Sequence, residues 1–181
     1  MKARFLCLAA SLPAALAVAA ALAASAEPTT AAAFDASGTR APPSAYREWI
    51  YLSSGIDMAY RERAGAADHS MFDNVFAEPS AYRAFLATGT WPDGAMLVME
   101  VRGAASEGSI NRAGKFQTGE RMGLELHVKD TRRYGGWAFF AFDGDAPAAP
   151  IPQAADCYAC HREHGAVDTT FVQFYPTLLD V

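Results

Sequence analysis

Cysteine, basic charge and long helical periodicity are all scarce in this chain, and each shortage removes a class of protein. Cysteine occurs only at positions 7, 157 and 160, too few and too unevenly spread for a disulfide framework. The 15 lysines and arginines are outnumbered by 20 aspartates and glutamates, giving a formal charge of −5, so there is no basic surface for nucleic acid. Apolar residues do not hold a 3.6-residue period over any long stretch, which argues against a globin-like fold or a four-helix bundle. No internal repeat is present.

The one long apolar run lies at the start. Lys2 and Arg4 precede a Leu/Ala-rich stretch from Phe5 to Leu22, and Ala24-Ser25-Ala26 follows as an A-x-A-like cleavage site. A membrane-spanning anchor is the alternative, but the run is alanine-heavy and has Pro13 inside it. Residues 1–26 are therefore expected to be a signal peptide cleaved after Ala26. Cys7 leaves with it, and the mature chain keeps only Cys157 and Cys160. Losing Lys2 and Arg4 lowers the 15 basic residues to 13 against 20 acidic ones, a charge of about −7. Such a charge makes a solvated exterior and suits a basic redox partner protein. Residues 27–44, rich in Ala, Thr, Ser and Pro, read as a flexible leader, and residues 45–181 as one domain.

The two remaining cysteines stand in Cys157-Tyr158-Ala159-Cys160-His161. Two thiols three positions apart can form thioethers to the two vinyl groups of a haem, and the next residue offers its imidazole to the iron. A disulfide, a redox dithiol or half of a zinc site would use the same pair, but a second pair of ligands at zinc spacing is missing. The motif thus predicts one covalent haem c, held through Cys157 and Cys160 with His161 as metal ligand. In an exporting bacterium such haem is attached outside the cytoplasmic membrane, so a periplasmic location is expected. His164 follows too soon to reach the other side of the iron and reads as exposed or supporting. His127, His69 and several methionines are candidates for the sixth position. A firm sixth ligand would make an electron carrier, whereas an open apolar position would admit a small neutral diatomic.

Element signals point to α+β, mainly β. Ser44 to Leu52 reads as a short helix with Ser44 as N-cap, and Glu78-Pro79-Ser80 opens another that Gly89 ends. Met71 to Ala77 could be extended. Three runs of strand length follow, Ala95 to Arg102, Met122 to Lys129 and Gly136 to Phe142, giving an antiparallel sheet with a few short helices and a C-terminal haem attachment segment. Alternation puts Ala95, Leu97, Met99 and Val101 on one face of the first run. In the second run Met122, Leu124, Leu126 and Val128 share a face, leaving Glu125 and His127 on the other. That pair reads first as an ordinary solvated face, with a polar wall of the haem pocket as the alternative. Trp137, Phe139, Phe140 and Phe142 fill both faces of the third run, which suggests a buried central strand or a dimer contact, with a haem cage as the further alternative.

The chain resembles the cytochrome P-460 family, which also includes the c′-beta cytochromes. The resemblance is carried by Tyr46-Arg47-Glu48-Trp49, Pro79-Ser80-Ala81-Tyr82, Gly89 with Asp93-Gly94, Gly123-Leu124-Glu125, Val128-Lys129-Asp130, Gly136 to Phe140, the haem motif and Phe171 to Pro176. It implies a mostly antiparallel β fold, a homodimer and a haem ligated by the motif histidine. Hydroxylamine-oxidising members carry a lysine, directly before a glutamate in the strand after the Asp-Gly turn, that bonds to the haem edge. The matching dipeptide here is Met99-Glu100. Met99 would then contact the haem without the amine needed for the bond, with core packing as the plain alternative. Lys115 is the nearest substitute in sequence, and its plain reading is a solvated side chain. The c′-beta members crowd the distal side with phenylalanines, for which Phe72 and Phe76 are candidates beside a plain role as core aromatics. Glu125 matches a family glutamate and is the candidate catalytic carboxylate. The resemblance thus implies a haem protein that binds NO or a related small nitrogen-oxide ligand and exchanges electrons. Hydroxylamine or NO oxidation and simple electron carriage are the alternatives.

Overall fold

The structure is a computed structural model that describes residues 38–59 and 70–179. The expected signal peptide with its cleavage site, the leader up to residue 37, and His69 lie outside the described residues. Five strands form one antiparallel sheet in the order of the chain: β1 (Ile50–Ile56), β2 (Met71–Ala77), β3 (Met96–Ala105), β4 (Phe116–Asp130) and β5 (Gly136–Phe142). Helix α1 (Pro79–Thr88) lies between β2 and β3, the single turn α2 (Thr131–Tyr134) between β4 and β5, and α3 (Asp156–His164) follows the sheet. The mainly β, α+β reading of the sequence is this fold.

Local chemistry sets most boundaries. The Glu78 carboxylate caps α1 by accepting the N–H groups of Ser80 and Ala81, both at 3.0 Å, and Pro79 sits where its missing N–H costs nothing. Gly89 ends the helix at φ +72°, a left-handed cap that suits glycine. Asp130 caps α2 through the Arg133 N–H at 2.9 Å, and Gly135 closes that turn at φ +70°. The expected helix over 44–52 is corrected: only Tyr46–Glu48 form a 3-10 turn, and Ile50 begins β1. Pairing of Ile50 with Ala77 and Tyr51 with Phe76 outweighs a weak capping signal from Ser44. Part of the expected leader is also ordered. Arg40 exchanges two backbone hydrogen bonds of 2.9 Å with Ala148 and is buried.

Both faces of the sheet are covered, by different parts of the chain. One face packs Leu97, Trp137 and Phe139 against Phe85 and Trp91, against Tyr158 of α3, and against Phe171, Tyr175 and Leu178. The other packs Val98, Leu126, Val128 and Phe140 under Tyr46 and Trp49. The aromatics of β5 therefore do not mark a central strand or a partner surface. β5 is an edge strand with both faces buried by its own chain, and the Phe139 N–H and carbonyl on that edge are met by the Tyr158 hydroxyl (2.9 Å) and the Ile151 N–H (2.7 Å).

The second face holds one buried charge. Glu100 is 4% exposed and accepts hydrogen bonds from Arg47 (2.7 Å), Arg102 and the Tyr46 hydroxyl. Burial alone would raise its pKa, but the hydrogen bonds from Arg102, Tyr46 and Arg47 overcome that and bring it down to about 2. A folded pKa below the unfolded value of 4.5 means stability that is complete above pH 4.5 and is lost as pH falls through about 2. The shift corresponds to about 3 kcal/mol. Glu100→Gln should therefore lower stability by about that amount at pH 7 and flatten the acid limb between pH 4.5 and 2. Denaturant titrations across that range measure it, and an unchanged acid limb would contradict the assignment.

Candidate haem site

Residues of the first face repeat at levels along the strands. Ala77, Leu97, His127 and Phe139 are register partners at one level; Ser53, Val75, Met99, Glu125 and Ala141 form the next; Gly55, Asp73, Val101 and Gly123 form a third. Levels are about 6.6 Å apart, two residues of strand rise. An open cleft runs along this face, with about 1040 Å³ of empty space including its mouth. Cys157, Cys160 and His161 line it together with Met99, Glu125 and His127.

The helix explains how the motif reaches the cleft. Cys157, Cys160 and His161 are at i, i+3 and i+4 of α3 and share one face. Tyr158, between the cysteines, turns the other way and is buried with its ring stacked on Phe139 at 4.2 Å. Its hydroxyl donates to the Ile151 carbonyl at 3.2 Å and accepts the Phe139 N–H. One residue of the motif thus anchors the helix while three face the cavity.

His161 is held on every side. Its ring lies 4.4 Å from Phe171, 4.7 Å from Phe139 and 5.1 Å from His127, centre to centre. Nδ1 is 2.8 Å from the Thr169 carbonyl oxygen. A carbonyl only accepts, so the proton is on Nδ1 and Nε2 keeps its lone pair. Burial holds the ring neutral by lowering its pKa, against the opposing effect of that hydrogen bond.

The Thr169 carbonyl is presented by a strained reversal. Asp168 and Thr169 have φ of +49° and +60°, a region that a β-branched residue rarely enters. Gly165 lets the chain fold back, since a Cβ there would fall 2.6 Å from the His161 carbonyl oxygen and from backbone of Thr169. Three contacts hold the reversal: Lys129 Nζ to Asp168 (2.5 Å), Trp91 Nε1 to Thr170 Oγ1 (2.8 Å), and Thr170 Oγ1 to the Val167 carbonyl (2.7 Å). Backbone held in this region clusters at ligand and active sites.

The sequence expectations divide at this cleft. Glu125 and His127 do not form a solvated face; they form a wall of the cavity, because β4 turns that face toward α3. His127 stacks on Phe139 at 3.9 Å and stands beside His161, so it lies on the same side as the motif histidine and does not supply an opposite ligand. Met99 lines the cleft. Phe72 and Phe76 are corrected. Alternation turns them away from Asp73 and Val75, and Phe76 packs on the second face with ring contacts to Tyr46 (5.9 Å) and Tyr51 (6.0 Å). Lys115 is bound to Ser70 and lies 3.6 Å from Asp57, outside the cleft lining. His164 is exposed, 3.8 Å from Glu163.

The family model for cytochrome P460 matches residues 43–172. The chain belongs to the cytochrome P460 family. No curated protein matches it. A cytochrome P460 is a haem cytochrome, and the residues present fit that cofactor: a neutral imidazole with Nε2 free, two thiols on the same helix face, and a mainly apolar cleft.

Sequence reasoning reached Met58 only as one of several methionines and missed the rest of the far wall of this cytochrome's cleft, namely Ser53, Gly55 and Asp73. The signal for Asp73 was available in the alternation of Met71 to Ala77, where it shares a face with Val75. Asp73 matters for Glu125, whose pKa is raised by burial and further by the Asp73 charge. The other ionisable groups lining the same cleft are His127 on β4, the motif residues of α3, and Tyr175. Asp73→Asn should lower the titration midpoint of Glu125 while burial keeps it above 4.5. Carboxyl-stretch infrared difference spectra against pH report it, with Glu125→Gln identifying the band; a midpoint that does not move would refute the coupling.

Proposed function

We propose that this cytochrome is a periplasmic mono-haem protein, its haem c held through Cys157 and Cys160, that binds NO or a related small neutral ligand at the iron and exchanges electrons with a redox partner. The observation that carries the reading is the orientation of His161, with Nδ1 tied to Thr169 and Nε2 left for a metal in the same cleft as both thiols. Haem held there supplies an iron that takes a small ligand and changes charge by one electron. Leu97, Val75 and Phe171 line the cavity with apolar surface and disfavour water and ions over a neutral diatomic. Glu125, whose pKa is raised by burial, is a carboxyl in the same cleft that can exchange a proton near such a ligand. The signal peptide expected of residues 1–26 supports export. A homodimer is supported by Tyr51, Ile56 and Met122, large apolar side chains left exposed on or beside the second sheet face.

A second reading, oxidation of hydroxylamine or NO, is favoured by the same Glu125 with Asp73, since loss of electrons from nitrogen must be matched by loss of protons. Met99 weighs against it. A thioether cannot form the lysine-type bond to the haem edge that the hydroxylamine-oxidising members resembling this chain carry.

Denaturing electrophoresis with a haem stain should leave the stain on the chain, and changing Cys157 and Cys160 to serine should remove it. Light scattering of the same preparation should read twice the monomer mass, and a clean monomer at micromolar concentration would defeat the dimer. Titration of the ferrous protein with NO should give a saturable spectral change; no change at any concentration would overturn the ligand-binding reading. Met99→Lys should allow a haem-lysine bond under oxidising treatment, read as a red-shifted main band and a heavier haem peptide. An already shifted band in the unsubstituted protein would contradict the role given to Met99.

A further inference from the structure

Alternate residues of β4 share a face, so Glu125, His127 and Lys129 all point toward α3 and the chain that follows it. Each meets a different part of the site. Glu125 lines the cleft, and the His127 ring stands 5.1 Å from that of His161. Lys129 lies outside the cleft lining, yet its side chain is only 17% exposed, and a lysine so far out of water needs partners. Its Nζ donates to the Trp91 carbonyl at 2.8 Å and to the Asp168 carboxylate at 2.5 Å. Both partners lead to one place. Trp91 donates from Nε1 to Thr170 Oγ1 at 2.8 Å, and Asp168 and Thr170 flank Thr169, whose carbonyl oxygen is 2.8 Å from His161 Nδ1.

Thr169 does not hold that place by its own preference. A β-branched residue at φ +60°, next to another residue at +49°, relaxes to ordinary backbone unless its neighbours prevent it. Here both neighbours are tied down. Thr170 is held by Trp91 and by the Val167 carbonyl, inside the core, where Trp91 and Thr170 are each 2% exposed. Asp168 is held by a charge-assisted bond to Lys129, with 30% of its side chain exposed. The Lys129–Asp168 pair is thus the half of the clamp that can be altered without opening a cavity in the core.

The acceptor on Nδ1 matters for what Nε2 can do. The more firmly a carbonyl holds the Nδ1 proton, the more electron density the ring gives to a metal on its other side, which favours ferric over ferrous iron and strengthens the iron–nitrogen bond. We propose that Lys129 is a positioning residue for the haem iron: through Asp168 it fixes the Thr169 carbonyl on His161, and so sets the reduction potential and the strength of the iron–histidine bond. The proposal rests on the haem reading above, with His161 as ligand, and adds what tunes that ligand.

The test is the reduction potential and the iron–histidine stretching band of the haem-loaded protein, by redox titration and by resonance Raman of the ferrous form, with Lys129→Met, Asp168→Asn and Lys129→Arg. Asparagine accepts the left-handed backbone of position 168 but gives up the charge that strengthens the bond to Lys129. Lys129→Met and Asp168→Asn should both raise the potential and move the band to lower frequency, with the smaller shift in Asp168→Asn. Lys129→Arg, which keeps the cation and its donors, should stay close to the unsubstituted protein. Charge alone predicts a different pattern, because losing a cation lowers the potential whereas losing an anion raises it. A lowered potential in Lys129→Met, or a band that neither substitution moves, would overturn the proposal and leave His161 as the ligand. A haem-bearing protein with no iron–histidine band would overturn the ligand role of His161 and this proposal with it.

Discussion

A neutral imidazole has one N–H, and the side of the ring that keeps it decides what the other side can do. In His161 that proton is committed to the Thr169 carbonyl, and the remaining lone pair is free for the cleft. Much of the surrounding structure serves this commitment. The carbonyl is in place because two residues accept left-handed backbone, Gly165 allows the return, and Lys129 and Trp91 hold the reversal from the sheet side. The ring itself is wedged by Phe139 and Phe171, so neither its rotation nor its tautomer is left to chance.

The sheet contributes by dividing labour between its faces. The face toward α3 keeps its ionisable side chains few, with Glu125 and His127 set in a mostly apolar lining. The opposite face contains the Glu100 cluster, in which three donors satisfy one buried carboxylate. A buried charge with its donors in place is costly to break and is a weak source of net stability, but it tolerates only one arrangement. It therefore fixes how Tyr46 and Arg47 dock, and with them the N-terminal segment that covers the second face.

Much of this was legible in the residues. The α1 boundaries followed from Glu78, Pro79 and Gly89, and β5 from its aromatic run, because local chemistry decided both. The motif from Cys157 to His161 pointed to the cleft that these residues line. What the sequence obscured depended on distant partners. Ser44 to Leu52 looked helical because the pairing of Ile50 and Tyr51 with β2 cannot be seen locally. Glu125 and His127 looked solvated because nothing in β4 says that α3 and Phe171 will close over that face. Phe72 and Phe76 were placed on the wrong side because a family pattern was carried over without the period-2 count that separates them from Asp73 and Val75. Met58 was hidden for a further reason: its place depends on an absence, the side chain that Gly55 lacks.

Neighbouring residues on β3 sit on opposite sides of the sheet, Met99 in the cleft and Glu100 in the buried cluster. The second anchors the strand and the first decorates it. Because Glu100 and its arginines lock the register independently, the side chain at position 99 can be exchanged for one of quite different reactivity without the strand needing to shift. The architecture separates what keeps the protein folded from what lines its cleft, one peptide bond apart. A single position thereby becomes a tuning point for the chemistry of a scaffold that need not change.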